Sequence, residues 1–324
     1  MTALSGPVLY TNRFRLMGGW ASVEFVDERG RAVAERISQA AEDEARRIEL
    51  KFSRYREASV VSEINRNAGR TPVAADDETA ALVRAATDLS RLTGGRFDPT
   101  VGALRRAWDF KNGRVPSRDE VDALLPLVDS DSVSVRDRTV FLRRPGMEID
   151  LGGVGKEYAV DRVADLLRSE GIRSAIVNFA GDVRTVGGRG DGRPWSVGIV
   201  DPRASDRCRF AVRAIGDVGV ATSGDYERGF VKDGVRYHHI LDATTGWPAR
   251  GVASATAVAA TAYLAGRFAT AAFLLGAEDG FALLEGSPGV EGALIRDDGT
   301  LLATAGMSRL SDLPGSLYSA HPTV

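Results

Sequence analysis

Met147-Glu148-Ile149-Asp150-Leu151-Gly152-Gly153-Val154-Gly155-Lys156-Glu157-Tyr158-Ala159-Val160-Asp161-Arg162-Val163 is the stretch that decides how this chain is read. Met147, Ile149 and Leu151 alternate with polar neighbours, the pattern of a strand with one buried face. After the glycines, apolar residues recur at Tyr158, Ala159, Val163, Leu166 and Leu167, which predicts an amphipathic helix. A glycine turn at a helix N-terminus presents free N–H groups and the positive end of the helix dipole, a setting suited to an anion. Asp150 and Lys156 add a carboxylate and an ammonium beside it. The same glycines serve equally well in a tight, purely structural connection. The spacing matches neither a Walker A loop nor a dinucleotide fingerprint.

Composition narrows the class. At 324 residues the chain has room for one large domain or two small ones. A formal net charge of −2 gives no electrostatic footprint for nucleic acid. Cys208 is the only cysteine, which excludes an internal disulfide and a thiolate metal cluster. No run approaches the roughly 18 apolar residues of a membrane span. Residues 1–15 lack the charged start, apolar block and lipobox cysteine of a signal peptide, so the sequence points to the cytoplasm.

The pattern elsewhere mixes hairpins and helices. Residues 14–26 predict a strand pair broken at Gly18-Gly19. Val33, Ile37, Ala41, Ala45, Ile48 and Phe52 mark a long amphipathic helix. Asp76 or Asp77 opens a second helix that Gly94-Gly95 closes. Val133 and Val135 face Val140 and Leu142 across Asp137. Strands are expected at 173–178, 195–200 and 209–214, a helix at about 261–276, and a last hairpin around Asp297-Asp298-Gly299. Strict strand–helix alternation is absent, which favours α+β over a doubly wound parallel sheet. Polar turns stand out at 94–102, 178–182, 221–227 and 238–246. Asx-turns account for Asp182 and Asp225, and Asp98 before Pro99 reads as a turn opener. His238 and His239 with Asp242 lack a further ligand for zinc.

Taken in order, these pieces resemble the FAD:protein FMN transferase family, also called the ApbE family, from Phe14 to about Gly276. The resemblance rests on Arg13-Phe14-Arg15-Leu16-Met17-Gly18, on Phe52-Ser53-Arg54-Tyr55-Arg56 and on Gly95-Arg96-Phe97-Asp98-Pro99-Thr100-Val101-Gly102. Ile149-Asp150-Leu151-Gly152-Gly153-Val154-Gly155-Lys156, Asn178-Phe179-Ala180-Gly181-Asp182, Thr222-Ser223-Gly224-Asp225-Tyr226 and His239-Ile240-Leu241-Asp242 complete it.

It implies a T-fold-like α+β architecture in a single domain, 1–324, which includes a C-terminal hairpin at about 290–306. It implies an FAD site lined by Met17, Tyr55, Arg96, Phe97, Asp98, Asp150, Lys156 and Leu241. Tyr55 offers an aromatic face, although its spacing from Phe52 also permits a core position at the end of its helix. By the same resemblance Mg²⁺ sits on the pyrophosphate, held by the carbonyl of Gly153 and the hydroxyl of Thr270. His239 orients the pyrophosphate or moves a proton, and Lys156 supplies charge. FMN would pass from FAD to a Thr or Ser hydroxyl of an acceptor flavoprotein, a redox-complex subunit, with release of AMP. With water as nucleophile the same site would be an FAD pyrophosphatase.

One departure bears on this. The family's late helix usually opens Ala-Asp-x-x-Ala/Asp-Thr, the Asp being a metal ligand, whereas here Ala265-Gly266-Arg267-Phe268-Ala269-Thr270 lacks it. Magnesium is commonly held by one or two carboxylates, so Gly266 also leaves open a flavin-binding protein without turnover. Asp182 or Asp225 offers a replacement oxygen, and Arg267 could take over some of the phosphate charge.

Overall fold

The computed structural model describes residues 7–313. β1 (Val8–Leu16) and β2 (Gly19–Asp27) form a hairpin around Met17 and Gly18, both at positive φ. Alternation places Phe14 and Leu16 of β1, with Ala21, Val23 and Phe25 of β2, in the core. In α1 (Arg31–Phe52), Ala34, Ile37, Ala41, Ala45, Ile48 and Phe52 are buried at intervals of three and four. α2 (Asp77–Leu92) is capped by Asp76, whose carboxylate accepts from Thr79 N–H. The predicted Val133–Leu142 hairpin has the predicted register, with Val133 opposite Leu142 and Val135 opposite Val140.

The glycine turn feeds α3 (Gly155–Ser169). β3 (Ala175–Phe179), β4 (Asp182–Val186), β5 (Gly219–Gly224) and β6 (Val252–Ala259) follow. α4 (Ala262–Leu275), α5 (Ala277–Glu285), β7 (Glu291–Arg296) and β8 (Leu301–Ala303) close the series. The eight strands lie side by side in chain order, each antiparallel to the next. This is the expected α+β architecture, and the C-terminal hairpin extends the same sheet.

α1, α3 and α4 cover one face of the sheet over Val23, Phe25, Val177, Ala221, Ala255 and Ala257. On the other face the hairpin Trp195–Asp201/Ala204–Ala214 packs Val197, Ile199, Phe210 and Val212 against Val183, Val220, Val258 and Ile295. The central strands are therefore covered twice. All eight residues of β6 are buried, as are all five of β4. Strands covered on both faces do not alternate, which is why neither β4 nor β6 was expected from the pattern. Residues 222–224, read as a polar turn, instead continue β5 against β6.

A second correction concerns the opening stretch. Met147, Ile149 and Leu151 are buried as expected, but the segment joins no sheet beyond a single parallel bridge between Glu148 and Val101. The Asn65 side chain takes the place of a neighbouring strand: its Oδ1 accepts from Ile149 N–H at 2.8 Å and its Nδ2 donates to Ile149 O at 3.0 Å. Asp150 N–H donates to Pro99 O at 2.7 Å. Asn65→Ala strands two buried peptide groups, each costing about 1–3 kcal/mol. Urea unfolding should show a loss of about 2 kcal/mol or more, and a change under about 0.5 kcal/mol would contradict the clamp.

Candidate active site

The site is built from the turns at one end of the helical layer. Gly152 N–H donates to Asp150 Oδ1 at 2.9 Å, and Gly155 N–H to Leu151 O at 2.7 Å, closing a tight turn. Phe97 lies against Gly153, where an added Cβ would fall 2.9 Å from its ring. Val154 is the N-cap of α3, and no side chain caps it among the described residues. This end of the helix has no side-chain cap, although its first N–H, that of Gly155, is already held by Leu151 O.

Its first turn carries more than the expected lysine. Lys156 Nζ lies 2.9 Å from Asp182 Oδ2 at the start of β4. Glu157 is buried on the same helix, its carboxyl beside that of Asp182. Burial raises the Glu157 carboxyl well above the usual range, and the Asp182 charge pushes the same way. Asp182 is also raised, first by burial. For Lys156 burial favours the neutral amine, but the charges of Asp182 and Glu157 outweigh it and the ammonium is held. Two buried carboxyls thus share one ammonium. Glu157 Oε2 has no hydrogen-bond partner.

α4 forms the opposite wall. Gly266 faces Glu157, and a Cβ there would lie 2.4 Å from Glu157 Cγ and 2.7 Å from its Oε1. One turn on, the hydroxyls of Thr270 and Ser223 are 3.0 Å apart. Thr222 N–H donates to Asp182, which ties this pair to the carboxyls. Asp182 therefore stands in a strand and an ion pair, not in the expected Asx-turn. Asp225 leaves its expected Asx-turn too, since both its oxygens bind Arg203 at 2.7 and 2.9 Å. That pairing removes it as a replacement ligand. Arg267 lies over the Tyr263 ring rather than toward this cluster.

Oxygen donors dominate: the Glu157 and Asp182 carboxylates and the Thr270 and Ser223 hydroxyls. That chemistry suits a hard cation such as Mg²⁺. An orphaned buried carboxylate oxygen fits the same ion. Among the described residues no three His, Cys, Asp or Glu side chains converge, so an ion here would depend on hydroxyl, carbonyl or substrate oxygens.

The other expected residues differ in exposure and in partners. Tyr55 lies beyond the end of α1, 71% exposed, and its hydroxyl accepts from Arg105 Nη1 at 2.6 Å. The core-aromatic reading of Tyr55 is thereby overturned. Asp150 accepts from Arg54 at 3.4 Å and pairs with Arg105 at 3.2 Å, so this carboxylate organises two guanidiniums. Arg96 donates to Leu274 O and Asp242 from a partly exposed position. Asp98 is buried and accepts from Thr100 and from Ser130 N–H, an Asx-turn that fixes the loop and leaves no free face. Leu241 is buried in a two-residue strand opposite Pro248. Met17 N–H donates to Glu49 at 2.6 Å, and Met17 O accepts from Arg228.

The two histidines differ. His238 is fixed by Ala249 O at 2.9 Å and by an edge contact with Phe273. His239 has its main-chain N–H on Arg228 O, but its ring Nδ1 is enclosed without a partner. Burial, then the charges of Arg228, His238 and Arg105, lower its pKa to about 3. Two surface hollows of about 560–570 Å³ lined by α1 and β1 residues share no residue with this cluster.

A model of the ApbE family matches residues 17–294. The FAD:protein FMN transferase of Treponema pallidum is 36% identical over 277 residues, which cover 80% of this chain and 76% of that one. Its namesake in Vibrio cholerae is 32% identical over 287 residues, covering 87% and 84%. The crystal structure of the ApbE protein of Thermotoga maritima superposes with a TM-score of 0.85 at 36% identity, over 94% of this chain and 99% of that one.

The buried neutral His239 has a consequence for stability. An unfolded histidine, with a pKa near 6.5, takes up a proton as pH falls below that value, whereas the folded one resists until about 3. Stability is therefore full above pH 6.5 and lost across that window, by up to about 1.4 kcal/mol per pH unit. His239→Gln should flatten the fall of Tm between pH 6.5 and 4 relative to the wild type. Parallel curves would contradict the burial of a neutral ring.

Proposed function

The chain belongs to the ApbE family and is a transferase of FMN from FAD to protein, and we propose that the turns around α3 are where it does so. The observation that carries this reading is the joint presence, at an uncapped helix N-terminus, of Lys156, the Glu157–Asp182 carboxyl pair and the Thr270 hydroxyl. A dinucleotide with two linked phosphates needs positive charge and a cation, and the cluster offers the Lys156 ammonium, a helix N-terminus and oxygen ligands for the cation.

In this reading the acceptor's Thr or Ser oxygen attacks the phosphorus next to riboflavin. The bond from that phosphorus to the bridging oxygen breaks, the hydroxyl proton passes to the His239 imidazole, and AMP departs with the bridging oxygen. Mg²⁺, when held by the Gly153 carbonyl, the Thr270 hydroxyl and a carboxylate, supplies charge neutralisation on the pyrophosphate. The other tasks fall to the chain. Arg54 and Arg105, oriented by Asp150, offer cationic donors and lie over the exposed Tyr55 ring at 5.6 and 5.8 Å from its centroid, and a flat heterocycle would stack on what remains open of that ring. Arg96, Phe97 and Asp98 shape the loop against Gly153, and Met17 and Leu241 supply apolar walls.

Burial first, and then the charges of Arg228, His238 and Arg105, keep His239 a weak base. A bound pyrophosphate offsets their charge, so the imidazole becomes more basic once substrate is seated. The acceptor protein is a flavoprotein subunit of a redox complex in this proposal, modified at a hydroxyl side chain.

The direct test incubates the protein with FAD and Mg²⁺, with and without an acceptor flavoprotein. AMP and acceptor-bound flavin should appear in equal amounts. AMP without bound flavin would point to a pyrophosphatase, and neither product would point to flavin binding alone. Tyr55→Ala should weaken FAD by about 1–3 kcal/mol in calorimetric titration, with Tm unchanged because the ring is exposed; unchanged affinity would remove Tyr55 from the site. His239→Ala should lower AMP release more than it lowers FAD affinity, whereas His238→Ala, which removes a packed and hydrogen-bonded ring, should lower Tm. Equal kinetic losses from the two would refute a special role for His239.

A further inference from the structure

Gly266 is not an empty position. The volume that a side chain at 266 would enter is filled by Glu157, whose Cγ, Oε1 and Cδ lie 2.4, 2.7 and 2.8 Å from the site of an added Cβ. The carboxylate missing from α4 is thus present in the same space, projected from α3 across the helix–helix contact. Three further observations bear on its purpose. Glu157 is only 7% exposed, and its Oε2 has no hydrogen-bond partner. Its carboxyl lies beside that of Asp182, so the two can ionise together only with more positive charge than the one ammonium of Lys156 supplies. It also falls on the apolar stripe of its helix, three residues before Val160 and seven before Ala164, where an acid without a partner is costly.

From this geometry we infer that Glu157 replaces the absent aspartate at 266 as the carboxylate ligand of a divalent cation, together with Asp182 and the Thr270 hydroxyl. The inference rests on the proposed metal-assisted reading of the site. A cation between the two carboxyls satisfies Glu157 Oε2, balances the surplus negative charge and faces the helix N-terminus where phosphates would lie. Lys156 then pairs with Asp182 from the other side. The Glu157–Gly266 pair behaves as one unit in which a carboxylate has moved from one helix to its neighbour. A side chain fits at one of these positions only if the other gives way.

Calorimetric titration of Mg²⁺ into the FAD-loaded protein tests this, with Mn²⁺ binding followed by electron paramagnetic resonance as a second readout. Glu157→Gln keeps the shape and removes the charge. Loss of groups one layer outside a metal costs about 10–100-fold in affinity, so loss of a ligand should cost about tenfold or more. Glu157→Ala should bind as poorly, and Glu157→Ala combined with Gly266→Asp should recover most of the lost affinity because the carboxylate returns from α4 into vacated space. Circular dichroism establishes that each variant is folded, and the double variant decides the matter if Glu157→Gln is not. Wild-type affinity in folded Glu157→Gln, or no recovery in the folded double variant, would overturn the assignment. Absence of Mg²⁺ uptake by the wild-type FAD complex would end the metal reading and this inference together. Mg²⁺ uptake indifferent to Glu157 would end the inference alone.

Discussion

Two buried carboxyls set against one ammonium at the start of α3 are the constraint around which the site is arranged. Ionised carboxylates this deep are stable only when paired or when they hold a cation. The glycine turn brings the main chain close enough for Phe97 to pack on Gly153, and this fixes where α3 begins. β4 then supplies Asp182 from the middle of the sheet, and α4 supplies Gly266 and Thr270 from the other side. Three stretches of chain, the glycine turn with α3, β4 and α4, are committed to one small polar volume. A sheet whose strands are adjacent in chain order makes this possible, because the helices inserted between neighbouring strands all fall on one face.

Around that volume the loops are held by polar side chains bonded to other parts of the chain. Asn65 stands in for a strand beside Ile149, Asp98 ties Thr100 and Ser130 together, and Asp150 orients Arg54 and Arg105. Such supports explain why residues that the family resemblance assigns to the flavin site differ in what they do. Tyr55 and the arginines present surface to solvent, whereas Asp98 is buried with its oxygens on Thr100 and Ser130. The exposed and the buried members of the set should accordingly respond to mutation in different observables, affinity for the first and stability for the second.

Most of the outer fold was legible because its elements are covered on one face. The alternation of β1 and β2, the three-and-four spacing in α1 and the Val133–Leu142 hairpin each carry a period. β4 and β6 carry none, since the Trp195–Ala214 hairpin and the helices cover both of their faces, and the sequence shows only a run of small and apolar residues. The site was legible as turns and as a family resemblance, down to the missing acid at 266. Glu157 escaped notice. Its signal was an acid in register with Val160, Ala164 and Leu167, a break in an otherwise apolar stripe. Asp182 reads as a turn residue in the sequence because the pairing of β3 with β4 through Ala180 and Gly181 is a tight hairpin that brings it straight back into the sheet.

A crystal of the protein grown with FAD and Mn²⁺, measured at a wavelength where manganese scatters anomalously, addresses the account at its centre. It predicts one peak at about 2.1 Å from a Glu157 carboxylate oxygen and from Thr270 Oγ1, with the FAD pyrophosphate against the N-terminus of α3. A peak bound only to phosphate oxygens and water, with Glu157 turned away and Oε2 still unpartnered, would contradict it.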